Sequence, residues 1–286
     1  MIRRLSLTAL AVTSLILAAC GGDDSSSETS PSTEATGGDC STITEGKLTI
    51  ATGNPAYSPW VENDAPESGE GFEAAVALAV AKELGYEGEN VVWVRTDFDA
   101  AIQPGAKDFD FNLQQYSITP ERAETISFSD PYYAGNQAIV ALAGSAAEGA
   151  TTVADLVDVK FGAQAATTSL AFITDVIKPT NEPFVYDDNA GAKAALEAGQ
   201  IDAIVVDLPT AFYIAAVEID GASVVGQFPA DAGGTTDQFG LVFEKDNPLV
   251  GCVNSALATL KDSGELASIE QQWLSDKTGA PVIAVG

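Results

Sequence analysis

Between residues 184 and 206 the chain writes out a complete β-α-β step. Phe184 to Tyr186 is a short β-type run, Ala190 to Ala198 carries a helical pattern stopped by Gly199, and Ile201 to Val206 is a continuous apolar run of strand length. Parallel strands need a crossover of this kind, so the step commits the region to a layered α/β arrangement. The same alternation recurs along the chain. Lys47 to Thr52 reads as a strand. Gly71 to Leu84 reads as a helix with Phe72, Val76, Val80 and Leu84 on one side and Gly85 as its stop. Val91 to Val94 and Phe109 to Leu113 are extended, around a helical turn near Phe98 to Ile102, and Lys160 to Ala163 precedes a helix over Thr168 to Ile177. Pro209 to Val217 is helical, Val224 to Phe228 and Phe239 to Phe243 are extended, and helices over Pro248 to Leu260 and Glu265 to Ser275 follow, separated at Ser263-Gly264. The pattern predicts an α/β fold with mostly parallel sheets and no internal repeat. Small sheets spread over about 240 residues divide into two lobes, with a ligand in the crevice at the carboxyl ends of the strands.

Composition then removes chemistry. The 286 residues include no histidine, which excludes a Ser-His-Asp hydrolase, a Cys-His protease and a His-ligated zinc site. The cysteines Cys20, Cys40 and Cys252 fall short of the four thiolates of an all-cysteine cluster, so no metal and no cofactor is expected. Thirteen Lys and Arg against 41 Asp and Glu leave a net charge of −28, which argues against nucleic acid as a partner. With 46% hydrophobic and 19% charged residues the chain is not disordered as a whole.

Arg3 and Arg4 precede an uncharged apolar stretch from Leu5 to Ala19, the length of a signal-peptide core and short for a bilayer span. It ends in Leu17-Ala18-Ala19-Cys20, which resembles the lipobox of bacterial lipoproteins. That resemblance implies a signal peptide over residues 1–19 and a lipid on the Cys20 thiol; an ordinary signal peptide is the alternative. Residues 20–45 form a Ser/Thr/Gly/Asp-rich tract with almost no large apolar side chain, expected to act as a flexible tether with a reach of roughly 25–30 Å. With Cys20 lipidated, Cys40 and Cys252 remain as an even pair in an oxidising compartment. A disulfide is the simplest reading, two free thiols the other.

The run Ser117-Ile118-Thr119-Pro120-Glu121-Arg122, followed by Phe128-Ser129-Asp130-Pro131-Tyr132-Tyr133, resembles a signature of bacterial extracellular solute-binding proteins of family 3, the receptors of polar amino-acid ABC importers. Gly71-Phe72-Glu73, Gly162-Ala163-Gln164 leading to Thr167-Thr168-Ser169, Gly199-Gln200-Ile201-Asp202-Ala203, Asp207 and the ending Pro248-Leu249 to Trp273-Leu274 match in the same order, over roughly residues 46–277. The resemblance implies a two-lobed fold of the periplasmic-binding-protein type II kind, each lobe a small mixed sheet flanked by helices. Lobe one would hold residues 46–138 and 238–286, lobe two residues 139–237, with crossovers near Asn136–Val140 and Asp237–Gly240 as the hinge. It also implies a monomer on the extracytoplasmic face of the membrane, held by its lipid, that hands an amino acid to a permease served by a cytoplasmic ATPase.

An α-amino acid presents a carboxylate and an ammonium at a fixed separation. By resemblance Arg122 grips the carboxylate, for which two parallel guanidinium donors suit two oxygens, and Ser117 adds a donor. Thr167 and Thr168 stand before a helix and either touch the ligand or cap that helix. Asp207, at the end of an apolar strand, matches the carboxylate that receives the ammonium; capping the helix near Pro209 is its other reading. Tyr57, Trp60 and Phe72 fall where the family has aromatic ligand contacts, and each is equally readable as core. Gln115, with Gln114, departs from the small residues usual before the Ser-Ile-Thr element and could bond a polar side chain. Gly53-Asn54 stands where cation-selective relatives have an acid, which points to a neutral polar amino acid. A carboxylate-dependent cyclohexadienyl dehydratase on the same fold is the enzymatic rival.

Overall fold

A computed structural model describes residues 40–234, 236–274 and 280–285. The expected signal peptide, Cys20 and residues 20–39 of the expected tether lie outside the described residues. In chain order the strands are β1 (Leu48–Gly53), β2 (Val91–Thr96), β3 (Phe111–Asn112), β4 (Ile126–Phe128), β5 (Tyr133–Gly135), β6 (Gln137–Leu142), β7 (Phe161–Gln164), β8 (Phe184–Tyr186), β9 (Ala203–Asp207), β10 (Ala222–Gln227), β11 (Asp237–Phe239) and β12 (Val242–Glu244). The helices are α1 (Phe72–Glu83), α2 (Phe98–Ala101), α3 (Pro120–Ala123), α4 (Thr168–Phe172), α5 (Asn189–Glu197), α6 (Leu208–Tyr213), α7 (Leu249–Asp262) and α8 (Glu265–Leu274). Both α4 and α6 run on into a π-helical turn, Ile173–Ile177 and Ile214–Glu218.

Two five-stranded sheets carry the lobes, one ordered β2-β1-β3-β12-β4 and the other β10-β6-β9-β7-β8. Each is mixed: β1 runs parallel to β2 and β3, but β12 is antiparallel to β3 and β4. In the second sheet β7 is parallel to β8 and β9, while β6 is antiparallel to β9 and β10. The prediction of mostly parallel sheets therefore fails wherever a strand returns from the other lobe, because the chain re-enters each sheet from the crossover end. One such strand, β6, is buried at its centre and was read from sequence only as part of a crossover.

Helix α1 is buried on nearly every side, with Phe72, Val76, Ala77 and Val80 inaccessible. It sits between the first sheet and helices α7 and α8, so its apolar residues do not keep to one face. Gly71 makes its start possible: with φ of 103° a Cβ there would lie 2.5 Å from the Trp60 carbonyl oxygen. The bare backbone lets the Phe72 and Glu73 amides donate to the Pro59 and Trp60 carbonyls. The predicted strand over Phe239 to Phe243 is two strands, broken at Gly240 and shared between a ribbon and the first sheet. In that ribbon β5 runs antiparallel to β11, with Tyr133 opposite Phe239 and Gly135 opposite Asp237.

Cys40 and Cys252 form a disulfide, 212 apart in sequence, tying the start of the described chain to α7. The C-terminal tail needs a correction. Residues 281–284 leave the first lobe and run along the second: the Gln227 amide donates to the Pro281 carbonyl, that of Ile283 to Gln227 and that of Ala284 to Thr151. Ile283 is fully buried beside Ile139, Phe161 and Phe228, so burial of this one side chain draws the tail across.

Candidate ligand-binding site

Between the carboxyl ends of the two sheets lies a cavity of about 400 Å³, walled by residues of both lobes. Its size is that of a small-molecule site. Arg122, on α3, enters from the first lobe and is 9% exposed. The local fold explains its aim: Thr119 caps α3 by accepting from the Arg122 amide, Pro120 sits in the first turn, and the side chain turns inward over the Phe98 ring, 5.5 Å from its centre. Nη1 donates to the Ser117 carbonyl at 2.8 Å and Nη2 to the Ala166 carbonyl at 2.9 Å. The two acceptors come from opposite lobes, so the cleft is closed around the guanidinium. Burial lowers its pKa from the ordinary arginine value, and Tyr116, Asp237 and Asp207 oppose that shift.

Asp207 enters the cavity from the other side, at the end of β9. It holds the N-cap position of α6 without a side-chain capping bond, so the capping role is not what the fold uses it for. Its carboxylate accepts from Gln137 Nε2 at 2.9 Å, and the same amide donates to Asp237 at 2.8 Å. Burial first, and then the charge of Asp237, push the Asp207 pKa well above the usual carboxylate range. One amide thus holds two carboxylates, with a guanidinium close by. Gln137 is itself fixed by Ser169, whose hydroxyl donates to Oε1 at 2.6 Å.

The remaining residues singled out from sequence divide. Thr168 lines the cavity, and its Oγ1 lies 3.1 Å from Ser117 Oγ and 3.3 Å from Asp237, bridging the lobes. Ser117 is almost fully buried and is occupied by that contact and by Arg122. Thr167 caps α4, its hydroxyl oxygen accepting from the Leu170 amide while the hydroxyl donates to Gln164. Tyr57 is on the wall, its ring 5.0 Å from Lys193 Nζ of the second lobe, and burial pushes its hydroxyl up to about 12. Trp60 borders the cavity but is 1% exposed, packed edge-on against Phe72 and Tyr133. Its indole N–H donates across the cleft to Thr210 Oγ1 at 2.8 Å. Phe72 is core and does not reach the cavity, a correction that follows from its place at the buried start of α1. Gln115 is on the wall, yet its amide is turned to Glu73.

Several further acids on the wall belong to no motif of the sequence. Asp97 and Asp99 contribute from one lobe and Asp187 and Asp188 from the other, joining Glu73 and Asp207. Asp188 also caps α5 through the Gly191 amide. The adjacent acids Asp187-Asp188 directly follow β8, the strand end where a crevice ligand sits, and that position was the available signal. Among the described residues no group of side chains could hold a metal ion, and no helix is long and apolar enough to cross a membrane.

Two sheets whose carboxyl ends face one cavity, with a guanidinium and carboxylates on its walls, have the character of a receptor for a small polar molecule. Comparison with known proteins agrees. The chain belongs to the bacterial extracellular solute-binding proteins, family 3, matching that family over residues 48–276. It is 29% identical over 228 residues to an arginine-binding periplasmic protein of Mannheimia haemolytica, covering 78% of this chain and 90% of that one. The arginine-binding extracellular protein ArtP of Bacillus subtilis is 27% identical over 280 residues, covering 95% and 97%. Among solved structures, an ancestral arginine-binding protein bound to arginine superposes with a TM-score of 0.66 at 28% identity, over 80% of this chain and 98% of that one. An ancestral amino acid-binding protein described as a precursor of cyclohexadienyl dehydratase gives 0.64 at 30% identity, over 80% and 95%. These relatives are named as binding proteins, and the family to which the chain belongs is one of solute-binding proteins.

Proposed function

We propose that this chain is the substrate-binding component of an amino-acid ABC importer and that its ligand is an α-amino acid with a cationic side chain. The observation that carries this reading is the pairing of Arg122 and Asp207 on opposite walls of one cavity whose other ionisable lining is acidic. The ligand carboxylate would take over the guanidinium donors now spent on the Ser117 and Ala166 carbonyls, and the ammonium would lie at Asp207. The side chain then extends between Asp97–Asp99 and Asp187–Asp188, one acidic pair from each lobe. The preference for a neutral polar ligand rested on the missing acid at Gly53-Asn54; the acidic wall comes from other loops and turns that preference round. Arginine-binding relatives support the same ligand class.

Ligand touching both lobes stabilises the closed form by differential contact, without a chemical step. The β5–β11 ribbon is the hinge in this reading. Lipidation at Cys20, delivery to a permease and action as a monomer complete it; loss of membrane retention in Cys20→Ser checks the anchor. The central test is calorimetry of L-arginine, L-lysine, L-glutamine and L-glutamate against wild type, Arg122→Met and Asp207→Asn. Preference for arginine or lysine, lost in both variants, is expected. Equal binding by wild type and both variants would place the site elsewhere, and preference for glutamine would remove the cationic assignment alone.

A further inference from the structure

Glu73 is the second residue of α1, 1% exposed, and borders the ligand cavity from below. Its carboxylate is surrounded by donors. Oε1 accepts from the Gln115 backbone amide at 2.7 Å and from the Tyr132 hydroxyl, and Oε2 accepts from the Gln115 side-chain amide. Gln115 therefore binds the same carboxylate with both its backbone and its side chain. It needs that grip, because its φ of 51° is in the left-handed region that a residue with a Cβ avoids. Two residues further on is Ser117, whose carbonyl holds Arg122 and whose hydroxyl meets Thr168 of the second lobe. Gln114, on the other side, accepts from Tyr116 and borders the cavity too.

We propose that Glu73 is a positioning residue for ligand capture: its carboxylate clamps Gln115 in the turn that presents Ser117 and Arg122, and proton uptake at Glu73 releases both clamp and ligand. The proposal rests on the amino-acid reading of the cavity for its second half only. A protonated carboxyl has one acceptor fewer and a hydrogen to place, and of its three partners only the Tyr132 hydroxyl can accept without turning an amide over. The Tyr132 bond then reverses, both Gln115 donors face a neutral carboxyl in place of a carboxylate and lose their charge assistance, and the left-handed turn relaxes. The groups that face Glu73 have the same tendency. Tyr132 and Tyr116 are buried hydroxyls, and Asp207 is a carboxylate from the second lobe, itself within the field of Arg122. Burial raises the Glu73 pKa to about 7 against its three donors, so the two protonation states are both accessible in ordinary buffers. A ligand ammonium entering beside Asp207 favours the ionised form, hence proton release on binding.

The experiment has two arms. In the ligand-free protein, hydrogen exchange of the Gln115 amide, corrected for intrinsic rate, is followed from about pH 5.5 to 8.5. Wild type should lose protection on acidification about tenfold or more, and Glu73→Gln should show low, pH-independent protection. In the second arm, L-arginine binding is measured by calorimetry in buffers of different ionisation enthalpy. Wild type should release more protons than Glu73→Gln, and its affinity should fall more steeply with acidity. Should Glu73→Gln fail to fold, Gln115→Ala removes one donor pair partner while leaving α1 intact, and should weaken binding while shifting the midpoint upward. Equal Gln115 protection in wild type and Glu73→Gln, or equal proton release, overturns the proposal. If no amino acid binds wild type at any pH, the receptor reading fails, and the exchange arm still decides the clamp.

Discussion

Closing the cleft dries the hydrogen bond between Trp60 and Thr210, and the consequence is measurable. The indole N–H donates to Thr210 Oγ1 at 2.8 Å, with Trp60 1% and Thr210 9% exposed, and the two lie 150 residues apart on opposite lobes. Thr210→Val keeps the shape and removes the acceptor. In the open form water serves the indole, so nothing is lost there. In the closed form a buried donor is orphaned, which costs about 1–3 kcal/mol, or roughly five- to 150-fold in the closed-to-open ratio. Because ligand completes its contacts only in the closed form, the same factor should weaken L-arginine binding measured by calorimetry. The Trp60 ring stays packed against Phe72, Tyr133 and Phe239, so the melting temperature of the ligand-free protein should change little. Small-angle scattering of the free protein should report a larger mean radius of gyration. Unchanged affinity and unchanged scattering would show that the bond does not bias closure, and a lower melting temperature with normal affinity would make it purely structural.

Four further outcomes follow from the same contacts. Arg122→Met and Asp207→Asn each remove one partner of a buried charge contact and should weaken L-arginine binding by about 2–5 kcal/mol, read by calorimetry. Reducing the Cys40–Cys252 disulfide frees a loop of more than 200 residues; the chain-entropy estimate of about 5 kcal/mol is an upper bound, and denaturant titration with and without reductant measures it. Glu73 has a folded pKa of about 7 against a reference of 4.5, so the folded state holds its proton over a window where the unfolded chain has lost it. Its stabilising contribution is complete below the reference value and is lost as pH rises through 7, about 3 kcal/mol in all; wild-type stability should fall over that window relative to Glu73→Gln in denaturant titrations. Deleting residues 280–286 uncovers the pocket of Ile139, Phe161 and Phe228 that Ile283 fills, and should lower stability by about 1.5–3 kcal/mol in the same assay.

What could be read from the chain before folding was local. The step through α5 and β9 is visible because Gly199, the apolar run and the helical pattern are adjacent in sequence. Strand β6 escaped because an antiparallel central strand between lobes has no helix beside it to announce it. The site was legible where one short motif carries the chemistry, as with Arg122 and Asp207. It was not legible where partners meet only in space: Gln137 reaches Asp237 across 100 positions, and Trp60 reaches Thr210 across 150. Trp60 and Phe72 illustrate a different limit. An aromatic at a loop end can face the core or the ligand, and only the position of Gly71, which draws α1 beneath the Trp60 carbonyl, decides that both turn inward. The expectation of a neutral polar ligand weighed the first loop alone, whereas the proposed cationic ligand rests on four acids that two distant loops bring to the wall.

The charge of −28 bears on how such a wall can work. An enclosed cavity with Glu73 and Asp207 on its surface and one guanidinium between the lobes is short of positive charge. Burial raises the pKa of both carboxyls, so each holds its proton more readily than an exposed acid does. A ligand with an ammonium group and a cationic side chain brings two positive charges and one negative, and supplies the missing charge directly. In the proposed reading a cationic amino acid and protons compete for the same carboxylates, and closure dries charges that are already paired. A neutral amino acid brings no net charge to this acidic lining, and an acidic one adds to its excess. Selectivity proposed on this basis needs no acid in a fixed position along the sequence, only an excess of acidic side chains lining the cavity that one class of ligand offsets.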